Sequence, residues 1–436
     1  MASSNIRALE IAAEPSYCNL TDGIPSISGL TFQSVEFIDA AQVTPISETM
    51  QESEEGGKGG YYGIAPDVVQ TNSGQIIKRG EITLDFYLRA RGDFVLYDGL
   101  RALLATRFKM RNEAVNTATI TAKSANTITV DDDTFCSVGD VIAVQGEQDG
   151  PCYYSHVMDM TAGTGSAILT LAPSLYGVAN VDDVVKNLAD FRLPTFGGDP
   201  VRSGSIAPFS TTSSPTCCIR LTGDGWRQVC YGCQLTALTI SGTDGDSRAV
   251  KLSATVNVAY AEDVAAATPP VGERFGSQIE HSLASPLMVS SGYRDSPPTS
   301  AITASAQPCV DEWTLTLTWT CESSSCGNLW LGKAPLEAVG LEASLDMYLG
   351  GTSQQANLMT QFKDSEYCAI SLGFNADLNN GDTGGAVLIP AAYISTGSVS
   401  TVDLGSGFVR THVEFGIGPN YIDESGDKPM FQLAIV

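Results

Sequence analysis

The sequence predicts a mainly β protein: two tandem β-rich domains, each with a flanking helix, and a small β-barrel domain inserted into the first. Three observations predict it. Apolar and polar residues alternate at period two over much of the chain, an eight-residue motif occurs twice, and the extra length of the first half falls in one block.

The alternation comes first, because successive side chains of a strand point to opposite faces of a sheet. Trp313-Thr-Leu-Thr-Leu-Thr-Trp319 follows it throughout, and Val250–Tyr260 places Leu252, Ala254, Val256 and Val258 on one face. In Val409–Ile417, Val413 and Phe415 oppose Arg410, His412 and Glu414. Asn380-Gly381 marks a turn between Ser371–Phe374 and Ala386–Ile389, and Thr243-Asp-Gly-Asp246 marks another before the Val250 strand. One long segment has helical spacing. Asp93–Phe108 sets Phe94, Tyr97, Leu100, Leu103, Leu104 and Phe108 three and four residues apart, with Asp93 as N-cap. A weaker counterpart runs over 354–362.

The motif is Glu81-Ile-Thr-Leu-Asp-Phe-Tyr-Leu88, repeated as Glu342-Ala-Ser-Leu-Asp-Met-Tyr-Leu349. Glu81/Glu342, Leu84/Leu345, Asp85/Asp346, Tyr87/Tyr348 and Leu88/Leu349 are identical. Each copy precedes a helix candidate, and each half ends in an alternating strand, so the chain divides into two copies of one domain. The first takes 1–112 and 196–263; the second, with a linker over Val264–Pro298, takes 264–436. Between them lies the inserted block 113–195, with strands expected at Ala118–Thr121, Ala125–Val130, Asp140–Val144, Tyr153–Met158 and Ala167–Leu171. Phe135–Val144 reads as a strand–turn–strand of a small barrel.

Composition narrows the function classes. Lys plus Arg number 24 against 49 Asp plus Glu, a formal net charge of −25, yet only 17% of residues are charged. A chain this acidic lacks the Lys and Arg that hold nucleic acid by its phosphates. The run Ala386–Ile394 is too short to span a bilayer and carries Pro390, so no membrane partner is expected. Met1–Arg7 has no basic region followed by an apolar one, hence no secretory signal. Eleven cysteines without regular spacing read as thiols in a reducing cytoplasm.

The chemistry-bearing motifs are weak. Gly327–Ala334 departs from a phosphate-binding loop where Ala334 replaces the magnesium-binding hydroxyl and Pro335 blocks the helix. Cys230-Tyr-Gly-Cys233, with Cys217-Cys218 upstream, lacks the second knuckle of a zinc site and sits in strand-like sequence. Cys321 and Cys326 flank a Ser-rich loop. Arg91-Gly92-Asp93 reads as a turn and cap, and Asp131–Asp133 as a turn with solvated acids. Three histidines (His156, His281 and His412) leave little scope for acid–base catalysis, so neither an enzyme nor a cofactor is expected. What remains is a charge pattern. Glu81, Thr83, Asp85 and Tyr87, matched by Glu342, Ser344, Asp346 and Tyr348, give each copy an acidic face opposite an apolar one. The loop Val43–Arg79 carries Glu48, Glu52, Glu54, Glu55 and Lys58 among glycines, then Tyr61 and Tyr62, a pattern suited to an arm docking on a neighbouring subunit.

Several phrases together resemble the tail tube proteins of long-tailed bacteriophages, and most of all those of the Chi-like flagellotropic siphophages. They are Gly80–Leu88 with its following helix and preceding loop, Tyr231–Ser241 with Val250–Val256, and Ala386–Pro390 with Val409–Ile417. The resemblance implies tail-tube-type β-sandwich domains whose sheet lines a lumen for double-stranded DNA, with Glu81, Asp85, Glu342 and Asp346 as lumen residues. It implies trimeric rings of this chain, pseudo-sixfold because of the duplication, stacked into a tube through the Val43–Arg79 arm. The inserted domain then lies outside the tube. Tape-measure, tail-tip and terminator proteins become the partners, and the virion tail, assembled in the host cytoplasm, the location. A β-rich adhesin or receptor-binding module is the alternative; a glycan hydrolase and a capsid or decoration protein are further ones.

Overall fold

The duplication suggested by one motif recurs in the order of strands. The computed structural model describes residues 6–21, 24–40, 44–45, 47–49, 64–66, 68–70, 76–90, 98–111, 116–145, 152–194, 216–243, 249–266, 268, 277–279, 287–291, 310–323, 336–350, 368–374, 384–403, 409–417 and 429–435. In chain order the principal elements begin with β1 (Ile6–Glu14), β2 (Ile76–Tyr87) and helix α1 (Asp98–Leu104). The inserted block supplies β3 (Thr117–Lys123), β4 (Thr127–Val130), β5 (Val141–Gln145), β6 (Cys152–Ala162), β7 (Ala167–Ala172) and β8 (Val184–Pro194). There follow β9 (Thr216–Gly223), β10 (Trp226–Thr243) and β11 (Lys251–Val264). The second copy has β12 (Leu287–Ser291), β13 (Val310–Ser323), β14 (Leu336–Gly350), β15 (Cys368–Phe374), β16 (Gly385–Asp403) and β17 (Val409–Ile417), and β18 (Pro429–Ile435) ends the described chain.

All pairings among these strands are antiparallel, and those of the two copies correspond. β11 lies between β2 and β10 as β17 lies between β14 and β16. The first half of β10 pairs with β9 as the first half of β16 pairs with β15. In the first copy, the place that β13 holds beside β14 falls to short runs beside β2: Asp39–Ala40, Thr44–Pro45 and Val68–Gln70. The two copies then join edge to edge, Ala237–Thr243 of β10 pairing with Glu312–Thr318 of β13. One main sheet results, ordered β2–β11–β10–β13–β14–β17–β16.

Register fixes which side chains enter the core. Ile82, Leu84 and Phe86 of β2, Leu252, Ala254 and Val256 of β11, and Trp313, Leu315 and Leu317 of β13 are all buried and belong to one hydrophobic cluster. A second layer closes over it. Leu9 and Ile11 of β1, Ile219 and Leu221 of β9, Ile370 and Phe374 of β15, and Phe431 and Leu433 of β18 complete the cluster, with Leu100, Leu103 and Leu104 of α1. Trp313 stacks on Phe374 with ring centroids 5.6 Å apart, joining the layers. The turn after α1 serves β10 where it changes neighbours. At the irregularity between Leu235 and Ala237, the Leu235 amide donates to Thr106 Oγ1, and Arg107 Nε donates to the Leu235 carbonyl at 2.6 Å.

The inserted block is a closed six-stranded barrel, ordered β3–β4–β7–β6–β5–β8 and back to β3. Ile120, Val130, Val144, Val157, Leu169, Leu171 and Val185 fill it. Its flank rests on the second copy: Val141, Ala143, Tyr154 and Leu188 meet Ala386, Leu388 and Ala434. Those residues alternate with Val387, Ile389 and Leu433 of the main cluster, so the barrel covers the outer side of the second layer. A buried polar network seals the seam. Arg192 reaches Asp140 at 2.9 Å and Asp190 at 2.7 Å, His156 Nδ1 lies 2.6 Å from Gln432 Oε1, and Gln432 Nε2 donates to the Gly139 carbonyl.

Four expectations need correction. The helix ends at Leu104, because 105–107 turn so that Thr106 and Arg107 can reach β10. The linker 264–298 contains β12, which pairs with β15. Phe135–Gly139 is a turn whose Phe135 fills the barrel, the strand starting only at Val141. The loop 43–79 holds short strands, including the hairpin Ser47–Thr49 with Ile64–Pro66, and its last residues begin β2. Asp93, Phe94, Tyr97, the Arg91-Gly92-Asp93 tripeptide, 354–362, Asn380-Gly381, Gly327–Pro335, Cys326 and His281 lie outside the described residues.

Two measurements follow from buried charge. Replacing Arg192 by Ala strands Asp140 and Asp190 in the seam and is expected to cost about 3–5 kcal/mol in denaturant unfolding. Glu14, on β1, accepts from the Gly232 amide at 3.1 Å and from Thr216 Oγ1, but burial dominates and pushes its carboxyl up to about 7. Its folded pKa is raised, so its contribution is fully present below the unfolded value and is lost as pH rises through about 7. The loss amounts to roughly 3 kcal/mol. Stability measured from pH 4 to 8 is expected to lose this slope in Glu14→Gln.

Candidate functional site

The main sheet has one face turned away from the core, and its residues follow from the alternation. On β2, Ile82, Leu84 and Phe86 are buried while Glu81 and Thr83 are exposed and Asp85 and Tyr87 half-buried. On β14, Leu345, Met347 and Leu349 are buried, Glu342 exposed, and Ser344, Asp346 and Tyr348 half-buried. Glu81, Asp85, Glu342 and Asp346 therefore share one face of one continuous sheet.

Neighbouring strands fill the space between the copies. Across from Asp85 the register runs through Ser253, Thr239 and Thr316 to Ser344. The next row runs from Tyr87 through Lys251, Ser241 and Thr314 to Asp346 and Glu414. The motif is thus displaced by two residues between copies, about 7 Å along the strands. Short hydroxyls occupy the middle of the face, and carboxylates stand in bands on either side.

Each repeated aspartate has a different anchor. Asp85 accepts from Ser253 Oγ at 2.5 Å, whereas Asp346 lies 3.1 Å from His412 Nε2, whose ring sits 4.8 Å from that of Tyr348. Arg410 pairs with Asp311 at 2.9 Å. With that pair set aside, Glu81, Asp85, Glu312, Glu342, Asp346 and Glu414 face two permanent cations, Lys251 and, just beyond β2 in the same polar phase, Arg89, which pairs with Glu36 at 2.7 Å. Glu312 and Lys251 escaped sequence reasoning. Their signal was there, since both sit in the polar phase of an alternating strand, but neither belongs to the repeated motif.

Such a face has specific chemical limits. It lacks the arginine forks and lysine rows that hold phosphate, and at short range it repels a polyanion, over a distance that salt limits to about 8–10 Å. His412 and Asp346 form two members of a hydrolytic triad, but no hydroxyl or thiol bonds the imidazole among the described residues. No group of His, Cys, Asp and Glu suited to a metal ion occurs among the described residues. None of the nine described cysteines is in a disulfide, eight of them are buried, and burial pushes the thiols of Cys218 and Cys233 far up from the ordinary range. Asp131 and Asp132 accept from the nearby Thr119 and Thr134 amides.

Of the expected arm, Glu48 lies in the short strand Ser47–Thr49; Glu52, Glu54, Glu55, Lys58, Tyr61 and Tyr62 lie outside the described residues. Reversing Glu81, Asp85, Glu342 and Asp346 together to Lys is expected to leave the fold intact and to create salt-dependent binding of a DNA duplex in fluorescence anisotropy. The native chain should show none. Comparison with known protein families and with characterised proteins finds no match for this chain.

Proposed function

We propose that this chain is a tube-forming structural protein, the tail tube subunit of a long-tailed bacteriophage, with the acidic sheet face lining a channel for double-stranded DNA. The observation that carries the reading is the main sheet itself: two copies of one domain joined edge to edge, with one face sealed by a core and the other acidic and hydroxyl-rich. A strand arrangement repeated with a two-residue offset between the copies suits a closed barrel, which needs a stagger between strands. Three chains would bring six copies and about 24 strands, and at about 4.8 Å per strand that gives roughly 40 Å between opposite backbones. Short Ser, Thr and Asp side chains keep such a channel open, and its negative wall discourages DNA from adhering as it passes. The layer order agrees, for the barrel lies beyond the second layer, on the side away from the acidic face. The partners are then further copies of the chain, a tape-measure protein, and tail-tip and terminator proteins at the ends.

One observation favours an adhesin instead: Ile168, Tyr176, Val181 and Val184 of the inserted barrel are all more than 40% exposed. On a tube such a surface would point outward, where it could meet a host structure, so the two readings differ in assembly rather than in this patch.

Negative-stain electron microscopy of the concentrated, purified chain is the test. Hollow tubes built from rings are expected, and discrete particles at every concentration, with or without tail tips as seeds, would overturn the reading. In phage carrying the four charge reversals, tubes should still form while DNA release slows.

A further inference from the structure

The cysteine-rich stretch that suits no zinc site acquires a geometry in the fold. β9 and β10 form a hairpin in which Cys217 lies directly opposite Cys233, and the next pair is Ile219 with Cys230. Tyr231 and Gly232 thus oppose Cys218 alone, a bulge whose Gly232 sits at φ +61° with its amide bonded to Glu14. In an unbroken strand, residues three apart take opposite faces. The bulge instead turns both Cys230 and Cys233 into the main core, where Cys217 meets them, while Cys218 faces the other side of the layer. Cys217 Sγ reaches the Cys233 carbonyl at 3.7 Å and shares a hydrogen bond with the Cys233 thiol.

The second copy repeats this arrangement with the opposed thiol missing. β15 and β16 carry the same irregularity, between Cys368 opposite Ala392 and Ile370 opposite Ile389, and Ile389 and Ala392 both enter the core. Cys368 therefore stands where Cys217 stands, facing a methyl group.

We infer that Cys217 and Cys233 are a redox pair, held as two thiols in a reducing compartment and joined by a disulfide across the hairpin once the chain meets a peroxide. Directly opposed strand residues have Cα atoms about 4.5–5.5 Å apart, inside the roughly 4.4–6.8 Å that a disulfide spans. One cysteine, as thiolate, attacks a peroxide oxygen, giving a sulfenic acid and hydroxide; the other thiol attacks that sulfur and expels water. Two thiols and one hydrogen peroxide become one disulfide and two waters, the sulfurs giving up the two electrons that the peroxide takes. Both side chains are closed off from solvent and burial pushes the Cys233 thiol up, so the reaction proceeds through brief openings of the hairpin. Once formed, the bond ties the corner at which β10 exchanges β9 for β13. Nothing in the pair depends on the tube reading.

The full-length chain, purified under reductant, is moved into hydrogen peroxide with and without urea below the unfolding transition, then alkylated and mapped by mass spectrometry. A Cys217–Cys233 cross-link is expected, forming at least about tenfold faster in urea, where openings are more frequent. Cys368, equally placed but without an opposed thiol, should carry no cross-link. Closing a loop of roughly 15 residues should raise the folded-to-unfolded ratio by roughly a hundredfold, read as a shift of the urea midpoint that reductant reverses. Cys217→Ala and Cys233→Ala should each abolish link and shift, and Cys218→Ala should keep both. Cys217 and Cys233 recovered as separate thiols or sulfinic acids in both conditions would overturn the pairing, whatever the folding of the variants. A cross-link through Cys218 or Cys230 in its place would do the same.

Discussion

The backbone ladder between Ala237–Thr243 and Glu312–Thr318 is the constraint on which the rest depends. It makes one sheet of two domains, and its register decides which face each side chain takes. A slip of one residue would turn Trp313, Leu315 and Leu317 outward and drive Thr314, Thr316 and Thr318 into the core. The apolar contacts of the second layer therefore hold the polar face in place as firmly as they hold the core. Arg107 extends this control. It bonds the backbone of β10 beside its irregularity, reaches Cys321 Sγ at 3.1 Å, and so connects the helix of the first copy to β13 of the second. The acidic face is the reverse side of a packing solution.

The inserted barrel strengthens the same union by an indirect route. It leaves the first copy after α1, yet its flank rests on β16 and β18 of the second. The last strand of the barrel, β8, also pairs through its C-terminal half, Ala189–Pro194, with β18. A chain crossing between copies twice, once through the sheet and once through the barrel, keeps its two domains in fixed relation. On the tube reading, such fixed relation would matter, since an error in the angle between copies would accumulate around a ring.

Strands whose two faces differ in polarity could be read directly: Val250–Tyr260, Trp313–Trp319 and Val409–Ile417 fall where alternation puts them. β8 could not. Its Asp190 and Arg192 are buried in the seam beside Gln432 and its Asn187 is buried against Phe135 and Asp140, and a strand whose polar face is internal carries the pattern of a loop. β12 was hidden for another reason, since five residues between proline-rich stretches hold too little periodicity to register. For the site, the repeated acids were legible because the motif occurs twice. Glu312 and Lys251 join them only through pairings between strands far apart in sequence, which no local pattern encodes.

A comparison of the copies with each other separates packing from use. Leu84/Leu345 and Leu88/Leu349 are identical and fully buried, which packing explains, and the core accepts a change from Phe86 to Met347 between them. Glu81/Glu342, Asp85/Asp346 and Tyr87/Tyr348 are identical on the opposite face, where the glutamates are exposed and the aspartates and tyrosines half-buried. Nor do their partners hold them to type, because Asp85 is bonded by Ser253 and Asp346 by His412, and Lys251 has given way to His412 opposite the tyrosine. Surface positions free of packing demands ordinarily diverge after a duplication. A pair of carboxylates kept in both copies, although the aspartate's hydrogen-bond partner has changed from Ser253 to His412, points to a demand from outside the domain. On the tube reading proposed above, a polyanion passing along the face would make that demand at both copies alike.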